Sequence, residues 1–211
     1  LKTAFQQHFD GPPAFGARAP GRVNIIGEHT DYNGGFVLPM AIERDTAILA
    51  RPRTDRRLCA YALNLDARAE TSLDRLERNP EAPWLDYITG VAAELAKVDK
   101  PLTGADLIVA GDVPIGCGLS SSAALEMAAL AFFEQAGGFQ LDGAEAARLG
   151  CRPNPFARCF ATRLSGARAE HARHQEYTGQ DDEPLSLLHI LLLPLTLDAR
   201  APIETPKVPT A

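Results

Sequence analysis

The stretch "GDVPIGCGLSSSAALE", residues 111–126, marks the point where an apolar run gives way to a helix-forming one. Gly116 and Gly118 carry no side chain that would keep an anion away, and the first amides of the next helix, near Ser120 to Ser122, lack intrahelical partners. The helix dipole and the serine hydroxyls add to the attraction for phosphate, and one hydroxyl can also bind magnesium. These residues predict a phosphate-binding junction between a strand and a helix. The simpler alternative is a glycine turn followed by a serine cap.

The segments before this junction predict strands and one amphipathic helix. Residues 36–52 mix β-branched and apolar side chains, and residues 58–65 read as a second strand after the polar turn "RTDRR". In residues 84–98 apolar side chains recur three or four positions apart, which predicts a helix with one buried face. The apolar stretch "ADLIVAGDVP" that follows predicts a short buried strand.

Two helices are predicted after the junction. "SSSAALEMAALAFFEQAGG" favours helix throughout, with Gly137 and Gly138 as its stop. "LDGAEAARLG" places Asp142 at an N-cap and Gly150 where a C-cap glycine belongs. Because strands and helices are interspersed without strict alternation, the sequence predicts an α+β fold rather than a doubly wound sheet.

Composition and charge narrow the class of protein. With 211 residues and 45% hydrophobic content, the chain can bury one sizeable core. A net charge of −6 without clustered Lys and Arg argues against a nucleic-acid partner. No apolar run reaches the length of a membrane helix, so no membrane partner is expected. The four cysteines show no metal-ligand spacing and are expected to be buried, reduced thiols, which favours a cytoplasmic protein.

A second informative stretch, "GRVNIIGEHTDYNGG" at residues 21–35, concentrates charged and polar side chains. Glu28, His29 and Asp31 are donors and acceptors suited to a polyhydroxylated ligand such as a sugar. Arg22 can hold an anion through two parallel hydrogen bonds, as a transferring phosphoryl group requires. Taken singly, the same residues also suit a surface ion pair, a turn and a polar strand end. Their clustering favours a ligand site.

The two stretches together resemble the galactokinase members of the GHMP family of small-molecule kinases, which also contains homoserine, mevalonate and phosphomevalonate kinases. The resemblance rests on "APGRVNIIGEHTDYNGGFVLPMAI" and "PIGCGLSSSAALE", with support from "YITGVAAEL", and covers about residues 5–150. It implies a two-lobed α+β fold, with this chain carrying the two-layer N-terminal lobe and an incomplete, atypical C-terminal part. It also implies ATP-dependent phosphorylation of galactose at the C1 hydroxyl, with Mg²⁺ as cofactor and a monomer as the family's oligomeric state.

The resemblance also assigns roles to individual residues. Arg22 would be catalytic and would stabilise the transition state. The residues that would bind galactose are Glu28, His29, Thr30 and Asp31. The residues that would bind ATP are Gly116, Cys117, Gly118, Leu119, Ser120, Ser121 and Ser122. Ser122 would also lie near the metal.

The end of the chain departs from this pattern. In galactokinases the helix near Gly150 continues into a Q-x-A-E segment, whose acid helps hold magnesium, and then into G-x-M-D-Q, whose aspartate is the expected base. Neither follows here. We therefore expect residues 1–150 to form a galactokinase-like N-terminal lobe and residues 151–211 an atypical tail, the result of a shifted reading frame, a sequence artefact or a truncated gene model. Resequencing the coding DNA across codon 150 tests this expectation.

Two functions from different classes are compatible with the sequence. The first is a galactokinase, or a fragment of one, whose activity as an isolated chain is doubtful without the family base. The second is a non-catalytic sensor of galactose and ATP that acts through protein contacts. A mevalonate-type kinase is disfavoured, because the acidic cluster of "GEHTDYNGG" has no obvious use for a largely apolar acid substrate.

Overall fold

The computed structural model describes residues 1–27, 36–151 and 155–156. Strands and helices are interspersed along it, which confirms the predicted α+β class. In chain order the elements are α1 (Lys2–His8), β1 (Phe15–Ile26), β2 (Leu38–Pro52), β3 (Arg57–Ala62), β4 (Ala67–Ser72), α2 (Leu85–Ala96), β5 (Ala105–Gly111), α3 (Ser121–Gly137) and α4 (Gly143–Cys151). None of the described helices is both long enough and apolar enough to cross a membrane.

The strands form a single sheet in the order β1-β2-β5-β3-β4. β5 runs parallel to β3, and the other neighbouring pairs are antiparallel. The polar turn at residues 53–56 therefore joins β2 to β3 without making them a hairpin, because β5 lies between them. From Ala105 to Ala110 every residue of β5 is buried, and a strand buried on both faces belongs in the middle of a sheet.

Side chains of alternate residues on the central strands pack into two hydrophobic cores, one on each face of the sheet. On β2, Ile48 and Ala50 face the main core, which contains buried side chains from α2, α3 and α4. Leu49, between them, faces a smaller core with Phe5 of α1 and Ile108 of β5. This period-two alternation is the signature of a strand with both faces covered. Helices thus pack on both faces, and the larger layer carries the helix that follows the glycine-serine junction.

The end of α3 and the start of α4 lie where the sequence predicted them, but the predicted end of α4 is wrong. Gly138 ends α3 in the left-handed conformation, with φ of 68°, and the Asp142 carboxylate accepts the Glu145 amide at 2.7 Å as an N-cap. Gly150, however, lies inside α4 rather than at its C-cap. A Cβ atom built on Gly150 would lie 2.7 Å from the Met127 sulfur, so α4 lies close to α3 at this position.

A buried carboxylate links the strands at the other end of the sheet. Asp106 on β5 is 3% exposed. It accepts hydrogen bonds from Arg51 at 2.6 Å and from Arg53 at 2.8 Å. Arg53 also binds the exposed Asp55 at 2.7 Å, and this guanidinium holds the pKa of the Asp55 carboxyl below its usual value.

Two of the four cysteines have described side chains, and one of these two differs from the sequence expectation. Cys59 is a buried free thiol, and burial raises its pKa. Cys117 is also a free thiol but is exposed, because it lies between the two glycines of the junction. The expectation that all four are buried is therefore wrong for Cys117. The predicted tail lies outside the described residues, apart from Cys151 and residues 155–156.

Candidate functional site

The glycine-serine junction leaves the sheet at the end of β5 and returns toward β1. Gly111, the last residue of β5, pairs with Thr46 on β2. Thr46 in turn pairs with Ala19 on β1. The chain that leaves β5 therefore passes β2 and reaches β1 before α3 begins. We call Gly116–Ser122 the serine loop.

Open backbone and left-handed turns characterise the serine loop. Gly116 and Gly118 have φ of 77° and 73°, values that favour glycine, and a Cβ atom on either would meet no other atom within 4 Å. The loop is also exposed from Gly116 to Gly118. An anion could therefore approach the main chain here without meeting side chains.

Ser120 is the N-cap residue of α3, but it does not cap the helix in the usual way. Its backbone is left-handed, with φ of 57° and ψ of 42°, and its side chain makes no capping hydrogen bond. An N-cap serine normally adopts an extended backbone and accepts an amide of the first turn. The Ser120 hydroxyl instead accepts a hydrogen bond from Nη2 of Arg22 at 2.8 Å. The Ser120 side chain therefore does not cap the first amides of α3. An anion site at a helix N-terminus requires such amides without a side-chain partner.

The main chain also fixes Arg22 against the serine loop. The Arg22 amide donates to the Leu119 carbonyl at 3.1 Å. Gly21 permits this approach, because a Cβ atom there would lie 2.9 Å from the same carbonyl oxygen. The register between β1 and β2 shifts between Pro20 and Arg22. Bulges of this kind redirect a side chain from the regular pleat and are common beside functional sites.

In the described structure, two neutral oxygens accept hydrogen bonds from the Arg22 guanidinium. Its Nη1 donates to Oδ1 of Asn24 at 3.2 Å, and its Nη2 donates to Ser120. Within residues 1–27, 36–151 and 155–156, Arg22 forms no ion pair with a carboxylate. All three side chains are partly buried. Arg22 therefore holds a defined position while its charge is not neutralised by any described acidic residue.

The structure brings together some of the residues that the sequence singled out. Arg22 and the serine loop, which come from separate stretches, lie in direct contact. Glu28, His29, Thr30 and Asp31 lie outside the described residues, so their roles stay predictions. Asn24 was missed by sequence reasoning. A strand assignment for β1 would have found it, because residues two apart on a strand share a face.

Magnesium can be tested against the described residues. Ser122 is exposed on the first turn of α3, where its hydroxyl could provide one ligand. Magnesium usually takes one or two carboxylates together with phosphates and waters. In the described part of the chain, no group of three or more His, Cys, Asp or Glu side chains is placed to hold a metal ion. These residues fit an ion that takes most of its ligands from bound phosphates and water.

Two family models match the chain in sequence. Residues 3–52 match the galactokinase galactose-binding signature, and residues 86–188 match the N-terminal domain of the GHMP kinases. The first match contains Arg22 and the second contains the serine loop.

Individual relatives and solved structures agree with these matches. A galactokinase of Chloroflexus aggregans is 49% identical over 149 residues, which is 71% of this chain and 38% of that protein. The crystal structure of Lactococcus lactis galactokinase complexed with galactose is 34% identical, with a TM-score of 0.65 over 71% of this chain and 40% of that one. A mevalonate kinase of Methanococcus jannaschii, at 21% identity and a TM-score of 0.54, shares the fold. The chain thus spans about two fifths of the length of the galactokinases it matches.

Proposed function

This chain belongs to the galactokinase branch of the GHMP kinase family, and we propose that its protein transfers the γ-phosphoryl group of ATP to the C1 hydroxyl of galactose. The observation that carries this proposal is the 2.8 Å hydrogen bond between Nη2 of Arg22 and Oγ of Ser120. It puts a cation beside a glycine-rich loop and the start of a helix. That combination suits the phosphates of a nucleotide.

In this proposal the main chain and Arg22 contact different parts of the ATP triphosphate. The open main chain at Gly116 and Gly118 and the first amides of α3 would hold the phosphates. Arg22 would stabilise the negative charge on the γ-phosphoryl group as it moves to the sugar. Phosphoryl transfer depends chiefly on positioning and on neutralising charge, which are the contributions that these groups offer. A bound magnesium ion, held in part by the Ser122 hydroxyl, would neutralise further phosphate charge.

The proposed galactose site lies in the residues that follow β1. Gly27, which directly precedes Glu28, has a φ of 101°, a backbone conformation that favours glycine. Glu28, His29, Thr30 and Asp31 would bind the sugar hydroxyls, because their side chains can donate and accept hydrogen bonds. The match of residues 3–52 to a galactose-binding signature supports this assignment.

We further propose that residues 1–150 act as the lobe that binds sugar and phosphate, with residues 151–211 as a separate tail, although the match to the GHMP N-terminal domain runs on to residue 188. ATP as donor and the free thiols of Cys59 and Cys117 are compatible with a cytoplasmic protein. The activity, substrates and partners of the whole protein rest on this proposal, since the chain covers 38% of a galactokinase relative.

Calorimetry on the purified chain tests the ligand assignment. We expect Asp31→Ala to weaken galactose binding by about 1 to 3 kcal/mol, because a sugar hydroxyl loses its partner, while ATP binding changes little. Asp10→Ala is the matched control, since it removes the same charge from an exposed position between α1 and β1. Equal loss of both ligands in Asp31→Ala, or no galactose binding by the unsubstituted chain, would contradict the proposal.

A product assay separates a kinase from a sensor. General-base help typically contributes about 10² to 10⁴ in rate, and the family's G-x-M-D-Q aspartate is absent from the sequence. We therefore expect the chain alone to form no galactose 1-phosphate above a Ser122→Ala control, as ³¹P NMR would measure. Product above that control would show that a carboxylate of this chain replaces the base. A partner protein captured only with galactose and ATP together would favour the sensor.

A further inference from the structure

The arginines of the β1–β2 pair are held in two different ways. Four arginines lie on these strands, and in the described structure three of them pair with carboxylates: Arg18 with Asp45, Arg44 with Asp112, and Arg51 with Asp106. Arg22 is the exception, because its described side-chain partners are the amide oxygen of Asn24 and the hydroxyl of Ser120. Both partners orient the guanidinium without neutralising it.

The chemistry of the acceptor decides what an arginine can do for an anion. A carboxylate partner would orient Arg22 equally well, but its negative charge would cancel much of the attraction for phosphate. A neutral oxygen accepts a hydrogen bond from the same N–H group and leaves the positive charge of the guanidinium available to phosphate. The neutral partners thus suit an arginine that must attract a ligand.

We propose that Asn24 and Ser120 are positioning residues that hold the Arg22 guanidinium with neutral acceptors, so that its full charge faces phosphate bound at the serine loop. This inference rests on the function proposed above and adds to it a residue, Asn24, that lies outside the loop. Asn24 lies on the same strand as Arg22, two residues further along the chain. Ser120 belongs to the serine loop and is separated from Arg22 by 98 positions in the sequence.

The unusual backbone of Ser120 fits this role. A left-handed conformation is unfavourable for a serine, and it is retained where surrounding contacts determine it. In this conformation the Ser120 hydroxyl accepts a hydrogen bond from Arg22 and makes no capping bond to the helix amides. One residue thus fixes the cation and also leaves the helix N-terminus available to the same phosphate.

The test measures binding of ATP and of inorganic tripolyphosphate to the full chain by calorimetry at low salt. Asn24→Asp keeps the size of the side chain and its acceptor but adds a negative charge beside Arg22. We expect it to weaken the affinity for both probes by about tenfold or more, although the new ion pair should preserve the unfolding midpoint. Gln6→Glu is the matched control, because it makes the same amide-to-carboxylate change on the exposed face of α1. We expect the affinity of this control to stay within about twofold of the unsubstituted chain.

A double-mutant cycle separates positioning from a merely structural role. Asn24→Ala should weaken tripolyphosphate binding several-fold in the unsubstituted chain and have no further effect in an Arg22→Ala background, because Asn24 acts through Arg22. Equal losses in both backgrounds, or an Asn24→Asp chain that binds as tightly as Gln6→Glu, would overturn this inference and leave the proposed function standing. If the unsubstituted chain binds neither probe, the proposed function fails, and the inference fails with it.

Discussion

Replacing Gly21 by alanine should separate the strand that carries Arg22 from the serine loop. The new Cβ atom would lie 2.9 Å from the Leu119 carbonyl oxygen and 3.0 Å from a methyl group of Val113. The methyl group belongs to a side chain that can move, but the carbonyl belongs to the backbone. Its retreat would lengthen the 3.1 Å hydrogen bond from the Arg22 amide. The substitution therefore strains packing and hydrogen bonding at once.

The expected cost follows from these two effects. Overpacking typically costs about 1 to 3 kcal/mol, and a lost neutral hydrogen bond adds about 1 kcal/mol, so we expect a loss of roughly 2 to 4 kcal/mol. For a domain of this size, that corresponds to a fall in Tm of about 4 to 16 °C. Urea unfolding gives the free energy and calorimetry gives the Tm. We also expect the affinity for ATP to fall, because Arg22 and Ser120 move apart.

Gly150→Ala provides a control with the same chemical change. Its Cβ atom would also be close to another atom, 2.7 Å from the Met127 sulfur, but a thioether on a flexible side chain can move aside. Within a helix, alanine gains up to about 1 kcal/mol over glycine, so this variant should be neutral or more stable. A Gly21→Ala chain that unfolds within about 1 °C of the unsubstituted one would refute the packing argument. Equal destabilisation by Gly150→Ala would also refute it.

Three further substitutions test the fold. Asp106→Asn should lower the free energy of unfolding by about 1 to 3 kcal/mol, since its two arginine partners are only partly buried. Asp55→Asn should cost much less, because this carboxylate is exposed and forms its ion pair with one arginine, Arg53; urea titration of both variants measures the difference. Asp142→Ala should cost about 1 kcal/mol by the same measurement, because α4 loses its N-cap, whereas an asparagine there should restore most of it. Burial raises the pKa of Glu134 above its unfolded value of 4.5. The folded state therefore binds more protons at this carboxyl than the unfolded state does. The stability that this group contributes is lost as pH rises from 4.5 through the folded-state pKa. The stability of the unsubstituted chain relative to Glu134→Gln should therefore decline as pH rises above about 4.5, and a constant difference would contradict the assignment.

Signals that act within a few residues could be predicted from the sequence. The stop of α3 at Gly138 needs only a residue that tolerates a φ of 68°. The cap of α4 needs only Asp142 three positions before the Glu145 amide. The buried strand before the junction was recognised from its continuous apolar run. Each of these signals depends on neighbours along the chain, so no knowledge of the tertiary structure was needed.

β1 was missed because its sequence contains Pro20 and Gly21, which are typical of turns. The structure explains both residues. β1 is an edge strand, where a proline need not donate to a neighbour, and the register shift at Gly21 accommodates the approach of the serine loop. α1 and β4 were also missed. β4 has the sequence "ARAETS", which lacks the β-branched and aromatic run that usually marks a strand, and its place depends on pairing with β3.

By itself, the sequence determined the glycine-serine junction between a strand and a helix, the end of α3, the N-cap of α4, the α+β class and the resemblance to galactokinases, because local pattern and motif spacing encode these properties. Only the tertiary structure decided that Arg22 meets Ser120, 98 positions away. That contact requires β5 to lie beside β2, so that the loop after β5 crosses to β1 at Gly21. Strand order depends on which strand needs burial on both faces, and this is a property of the whole sheet rather than of any stretch within it.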